Sequence, residues 1–518
     1  MTGSVRAATS QAAFHRISKS DSDEILSIGN RSHIPHSSSD IRKLLHGLAD
    51  LEFSRHQMSP LQKLVEAGSE YGLRVLTNTV APQLLCLLRP QATRHIKHNL
   101  RQILTGVTRP CYTLEFNAFR CAYEAIHFQN ASSTPEVVKK KFLGQRPYDR
   151  LMSLFRKFPV LAEVWSRLIC QWCESTSELL ARVDADNQRL SRTFFRGQPL
   201  GQIADLCAGL SDPHNQGRTV MRVRFRSGSI IYKPRSGRGE KEWFNLVSYL
   251  NGASFRPKMT AAQVLCRDGY CWMQEVKFGP CKDQAAARRF YKRLGGMIAA
   301  AYLLKAVDCH RDNVIASGEY PVLVDAETLW HPSENNKIRS PLDELASTGF
   351  LPCSRRRSSY QYRSSVLGQT RPGRHTPHVT TKPLTARYYK REILTGFRAA
   401  WRSLVGTTER RASFARNLQR LRGQHWRRIY RSTAEYDAII RASIQPAAMR
   451  TGADRHAIIA NLCRGRETAE PVIGKEIEAL KRLDIPYFSR RSTGTSILPK
   501  DNVAPAELIN ALRRALQL

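Results

Sequence analysis

The sequence predicts an α+β fold: a bilobal mixed core with added helical regions at its N-terminal and C-terminal ends. Three observations predict it. Apolar residues recur at helical spacing from Ile41 to about Leu104, and most strongly from Leu151 to Leu190. Near Asp205 that pattern gives way to short alternating runs separated by turns. Further on, Asp308 and Asn313 stand five residues apart on one loop, and Asp325 follows behind a short apolar run.

Composition sets the bounds. At 518 residues the chain is too long for one ordinary core, and 42% hydrophobic residues with 7 Trp, 19 Phe and 17 Tyr can fill more than one. The longest apolar run, Met297 to Leu304, is far short of a bilayer span, and no signal-peptide pattern opens the chain. The expectation is a cytoplasmic protein with no membrane insertion. Lys and Arg number 81 against 44 acidic residues, a formal charge of +37. Such a surface favours an acidic partner: an anionic peptide, a nucleotide or nucleic acid. No paired Cys/His finger and no aromatic-glycine RNA signature occurs, so nucleic acid is not the expected partner. Of twelve cysteines only Cys170 and Cys173 form a CxxC, inside an apolar helical pattern. With no second pair at finger spacing, they read as buried free thiols in place of a zinc half-site.

Residues 1–40, rich in Ser, Arg and His, read as a flexible basic arm, and 41–200 as a mainly helical region. Thr134-Pro135-Glu136 is a helix start with Pro at the first helical position. From Leu151 a single apolar face runs through Leu154, Phe155, Phe158, Leu161, Trp165 and Trp172, and Pro159 should kink or split it. Residues 201–350 form the mixed core. Val220–Phe225 and Ser229–Lys233 read as a hairpin, Glu240–Leu250 as a helix, Gln263–Leu265 and Tyr270–Val276 as strands, and Gln284–Val307 as a long helix. The Asp308 loop and a strand over Pro321–Val324 follow. Residues 351–391 are a basic mobile segment, with ten Lys/Arg and no acid over 354–391. Helical patterning returns over 392–518.

This element order, and the offset between Asp308 and Asn313, match a kinase-like core, in which a loop Asp and an Asn five residues later serve as base and metal ligand. The alternative register, with Asp312 as the base, puts Asn313 next to it and is rejected. Lys233, ending a strand, suits a phosphate contact. Asn313 and Asp325 suit Mg²⁺, a hard ion that prefers oxygen. Asp308 would orient a substrate hydroxyl and accept its proton. Glu327 is expected on a strand, on the same face as Asp325, either as a second metal contact or as a structural carboxylate. His310 would position the Asp308 loop, and Gln274-Glu275-Val276 would be the hinge that meets adenine.

Several blocks together resemble the dehydratase half of class II (LanM-type) lanthipeptide synthetases. They are Leu210-Ser-Asp-Pro-His214 with Gly217-Arg218, Ile231-Tyr-Lys-Pro-Arg235, Asp308-Cys-His310 with Asn313, and Leu323-Val-Asp-Ala-Glu-Thr-Leu329. Arg427, Arg431-Ser-Thr433 with Tyr436, and Asp484-Ile-Pro-Tyr-Phe488 complete the set over about 205–490, and the first 130 residues match poorly. Val307 and Asp312 depart from the family, which has Thr before the loop Asp and Glu before the loop Asn.

The resemblance implies a kinase-like fold that uses ATP and Mg²⁺ to phosphorylate Ser and Thr of a ribosomal precursor peptide bearing a leader. Elimination of the phosphate then leaves dehydroalanine or dehydrobutyrine. It implies that Asp212, His214, Arg427 and Thr433 serve the active site, the last two in elimination; read alone, Asp212 and His214 form a plain turn, and Arg427 is one Arg on a helix face. Full-length members carry a zinc cyclase domain. Here the only Cys beyond Cys353 is Cys463, so that domain is expected to be lacking and a separate cyclase to act in trans. The competing readings are a kinase-like phosphotransferase without elimination, and a degenerate module that only binds the leader peptide.

Overall fold

The computed structural model describes residues 38–49, 59–127, 134–144, 147–330, 340–352, 365–368, 372–464, 470–492 and 505–516. It is a mixed α+β chain, mostly helical with small antiparallel sheets. Two compact units divide it. The first holds residues 1–187, 200–226 and 431–486; the second holds 188–199, 227–430 and 487–518. The expected arm lies almost wholly outside the described residues, as do 353–364 and 369–371 of the expected basic mobile segment, whose remainder includes a short strand pair, His378–Val379 with Lys382–Pro383.

In the first unit, helices α1 (Ser38–Ala49), α2 (Pro60–Thr79), α3 (Pro90–Ile126), α4 (Pro135–Leu143), α5 (Pro147–Lys157) and α6 (Pro159–Phe194, up to Asn187) follow one another. Their starts are written locally. Ser59 and Gln62 form a capping box ahead of Pro60, and Thr134 precedes Pro135 at the first helical position. Pro159 splits the long apolar stripe into α5 and α6, as its missing N–H requires. The stripe is core: Trp165 is fully buried, lies edge-on to Phe155 at 5.3 Å, and donates its indole N–H to Thr108 at 2.9 Å. Strands β1 (Asp205–Cys207) and β2 (Met221–Arg224) pair antiparallel.

In the second unit, β3 (Ser229–Lys233) pairs with β5 (Cys271–Gln274), and β5 pairs with β4 (Val264–Cys266), all antiparallel. Helix α7 (Arg238–Gly252) follows β3. Helix α8 (Gln284–Leu303), capped by Asp283, ends four residues short of the expected Val307, and its second half, Arg293–Leu303, is buried throughout. It packs closely on α9 (Lys390–Val405). A Cβ at Gly396 would lie 1.8 Å from the Lys292 carbonyl oxygen and one at Gly295 2.0 Å from that of Ile393, so only glycine permits this approach. Beyond α8, β6 (Val314–Ser317) and β7 (Tyr320–Leu323) form a hairpin that brackets the functional loops. Among the described residues no helix is long and apolar enough to cross a membrane.

Candidate functional site

In the second unit, five of the residues singled out from sequence converge through one backbone position. Lys233, at the end of β3, sends its ammonium to the Val324 carbonyl at 2.6 Å. The Val324 N–H donates to the Asn313 carbonyl at 2.8 Å, and the Asn313 side-chain amide donates to the Asp308 carbonyl at 2.8 Å. Asp325 and Glu327 follow directly. They lie in the loop and turn beyond β7 and not on a strand, which corrects the expected same-face strand placement. The pairing of β6 with β7 ends at Leu323, so alternation cannot aim these two carboxylates.

A guanidinium aims them instead. Arg235 donates to Asp325 at 2.8 Å and to Glu240 at 2.7 Å, and forms an ion pair with Glu327 at 2.8 Å. Glu240, in the first turn of α7 and fully buried, also takes Lys233 at 2.7 Å. Glu240 and Arg235 were missed as site residues. The signal was present: a carboxylate one turn into the helix after a Lys-ending strand is the natural partner of that Lys, because a buried ammonium needs one.

Arg427 lies on strand β8 (His425–Arg428), paired antiparallel with β9 (Phe488–Arg491), within the stretch 392–518 that reads as helical. Buried Trp426 and the four-residue ladder override the surrounding helical pattern. Arg427 pairs with Glu327 through its guanidinium, and its N–H donates to the Glu327 carbonyl at 3.0 Å. The Tyr487 hydroxyl donates to Glu327 at 3.4 Å, and the Tyr487 ring lies under Arg427 at 5.4 Å. With Arg235, Arg427 and Tyr487 all on it, Glu327 acts here as the carboxylate that holds two arginines.

Asp308 has left-handed backbone, φ 63°, a conformation that Asp tolerates better than most residues. His310 Nε2 stands 3.3 Å from its carboxylate, and the Asp312 N–H donates to the other imidazole nitrogen at 3.2 Å. The Cys309 N–H donates to Thr348 at 2.8 Å and anchors the loop. Burial pushes the Asp308 carboxyl up to about 6, with Asp325 and Glu327 adding repulsion and His310 and Arg427 opposing them. Burial alone would raise Asp325 too, but Arg235, Lys233 and Arg427 hold it well below the usual carboxylate range. Two neighbouring acids are thus driven apart, one toward a proton acceptor near neutrality and one toward a permanent anion.

Asp212, His214 and Thr433 belong to the first unit. Asp212 is exposed, and His214 faces the Ile485 carbonyl at 2.7 Å. The Asp484 carboxylate accepts from the N–H groups of Gln216 (2.6 Å) and Gly217 (2.7 Å), and the Ile485 N–H donates to Pro213 at 2.8 Å. Two sequence blocks 268 residues apart, at Gln216 and Asp484, therefore clamp one turn, which gives the Ser-Asp-Pro-His turn more definition than its composition did. Thr433 opens helix α10 (Thr433–Ser443), behind a Ser432–Glu435 capping box. Cys170 is half-buried and Cys173 buried, and neither forms a disulfide.

Among the described residues no group of three or more His, Cys, Asp or Glu side chains has the geometry to hold a metal. The Asn313 and Asp325 pair offers two oxygen donors. That suits Mg²⁺, which commonly takes one or two protein oxygens and completes its shell with phosphate and water.

Residues 158–377 and 367–491 match a family described as a domain of unknown function, DUF4135. Among curated proteins, the lacticin 481/lactococcin biosynthesis protein LcnDR2 of Lactococcus lactis subsp. lactis is 24% identical over 327 residues, covering 54% of this chain and 35% of the relative. The chain spans about a third of the length of that curated relative.

Proposed function

The chain belongs to the DUF4135 family and is distantly homologous to a LanM-type lantibiotic biosynthesis protein, and on that basis we propose that it is a kinase-like lanthipeptide dehydratase. It phosphorylates Ser and Thr of a ribosomal precursor peptide at the expense of ATP and then eliminates the phosphate to leave an alkene. The observation that supports this best is the Val324 relay, which ties Lys233 to the Asn313 and Asp308 loop, with Asp325 the next residue.

Lys233, oriented by Glu240, is the phosphate contact. Asn313 and Asp325 would hold Mg²⁺, and Mg²⁺-ATP supplies the transferable phosphoryl group when bound. Asp308 accepts the proton of the substrate hydroxyl. Its elevated pKa leaves it ionised at neutral pH yet more basic than an ordinary carboxylate. His310, 3.3 Å away, orients it. Arg427 stabilises the departing phosphate through its planar fork, with Glu327 and Tyr487 holding it in place. Thr433, Asp212 and His214 are assigned to the same chemistry by resemblance. The basic composition is suited to an acidic leader on the precursor.

The test is to incubate the purified chain with ATP, Mg²⁺ and a Cys-containing precursor and to follow the peptide by mass spectrometry. Loss of one water mass per modified Ser or Thr is expected, with every substrate Cys still alkylatable. Accumulation of phosphopeptide alone would reduce the activity to a phosphotransferase. An unchanged peptide, bound through its leader, would leave only a binding module.

A further inference from the structure

Cys266 and Cys271 are directly opposite each other on β4 and β5. The hydrogen bonds around them fix the kind of pair they form. The Arg267 N–H donates to Tyr270 at 2.9 Å, and the Gln274 N–H donates to Gln263 at 2.9 Å. Hydrogen-bonded pairs therefore fall at 267/270 and 263/274, and alternation makes 266/271 a non-hydrogen-bonded pair. Such pairs bring Cα atoms to about 4.5 Å with both side chains on one face, inside the span a disulfide accepts.

The same row continues onto β3, where Lys233 is the register partner of Cys271. On this face, Cys271 packs against the backbone just before α7: a Cβ at Gly237 would lie 2.4 Å from its sulfur. We propose that Cys266 and Cys271 are a dithiol modification site that closes to a cross-strand disulfide with a small-molecule disulfide as oxidant. Half-buried Cys266 attacks first. Its sulfur bonds to one oxidant sulfur, the oxidant's S–S bond breaks, and one thiol leaves with the proton. The Cys271 sulfur, fully buried, then displaces the second oxidant thiol from Cys266. Two protein thiols are oxidised, and one disulfide is reduced to two thiols. Burial holds both thiols above their ordinary range, so the exchange is slow and accelerates with rising pH.

The full chain serves for the test. It is incubated with glutathione disulfide under mildly alkaline, native conditions, the remaining thiols are blocked, and the protein is digested with trypsin without reduction. Cleavage after Arg267 separates the two cysteines, so residues 259–267 and 268–277 appear joined only if the bond has formed. The joined species is expected to grow with time and pH and to vanish on reduction. The proposal is overturned if both cysteines remain alkylatable after prolonged oxidation, if Cys266 stops at the glutathione adduct, or if Cys271 is found joined to another cysteine. Cys266→Ser, which leaves the buried thiol and its packing in place, should abolish the joined species while leaving the thermal transition unchanged.

Discussion

Replacing Glu240 by Gln removes the carboxylate that Lys233 and Arg235 share. Lys233 and Arg235 both reach it at 2.7 Å, and Glu240 has no exposed surface. Arg235 keeps Asp325 and Glu327, but Lys233 keeps only the Val324 carbonyl. Breaking one side of a buried ion pair typically costs about 3–5 kcal/mol, because the remaining charge cannot reach water. The Gln amide still accepts one hydrogen bond, so the expected loss is at the low end, about 3 kcal/mol. For a unit of roughly 250 residues, 1 kcal/mol moves the thermal midpoint by about 2–4 °C, so a fall of about 6–12 °C is expected. Adding Lys233→Met removes the stranded cation and should return at least half of that fall. Thermal unfolding of wild type, single and double variants decides it. A single-variant shift under about 2 °C, or a double variant no more stable than the single, would refute the reading of a desolvated pair whose cost lies in the unpaired ammonium.

Asp325→Asn should leave the fold standing and abolish both phosphopeptide and dehydrated product by mass spectrometry; normal dehydration would remove Asp325 from the mechanism. Arg427→Ala and Thr433→Ala should each let phosphopeptide accumulate, and recovery of only unmodified peptide would assign these residues to folding or peptide binding instead. Asp308, raised to about 6, binds its proton more tightly folded than unfolded, so it favours folding at low pH and that contribution is lost as pH rises through about 6. Asp308→Asn should therefore unfold at a higher temperature than wild type above pH 7, with the difference shrinking toward pH 4, and wild-type kcat/KM should rise through about pH 6 to a plateau. Affinity for an acidic leader should fall as salt is raised past physiological strength, where screening acts over about 8 Å; salt-independent binding would favour an apolar groove.

Local rules made much of the fold legible. Pro159 splits its stripe, Pro135 starts its helix, and the two predicted strands around Arg267–Gly269 appear, because each obeys a constraint acting within a few residues. Asp308, Asn313 and Asp325 were singled out by spacing, which a short loop and one hairpin preserve. What spacing could not give is who holds whom. Arg235 was visible as a letter of the Tyr-Lys-Pro-Arg block, but its grip on three carboxylates depends on contacts up to ninety-two residues away along the chain. Arg427 falls in the stretch 392–518 that reads as helical, and only its pairing with Ser489 on the distant strand makes it extended. The expected face-sharing of Asp325 and Glu327 failed for the opposite reason: a strand was extended past the point where its partner ends.

The charge inventory of the cluster explains why so many arginines are needed there. Asp308, Asp325, Glu327 and Glu240 face Lys233, Arg235 and Arg427, an excess of one negative charge with the carboxylates ionised. Four carboxylates this close would repel one another severely in a medium that screens weakly, and one or more would take up a proton. Each ion pair limits that at a particular place. Arg235 keeps Asp325 anionic, Glu240 keeps Lys233 from being stranded, and Glu327 is held by two guanidinium groups. Asp308 alone has no guanidinium or ammonium within salt-bridge distance among the described residues, only His310, and it is the acid whose pKa rises. The arrangement spends its cations on the carboxylates that must stay charged and leaves unclamped the one assigned to exchange a proton.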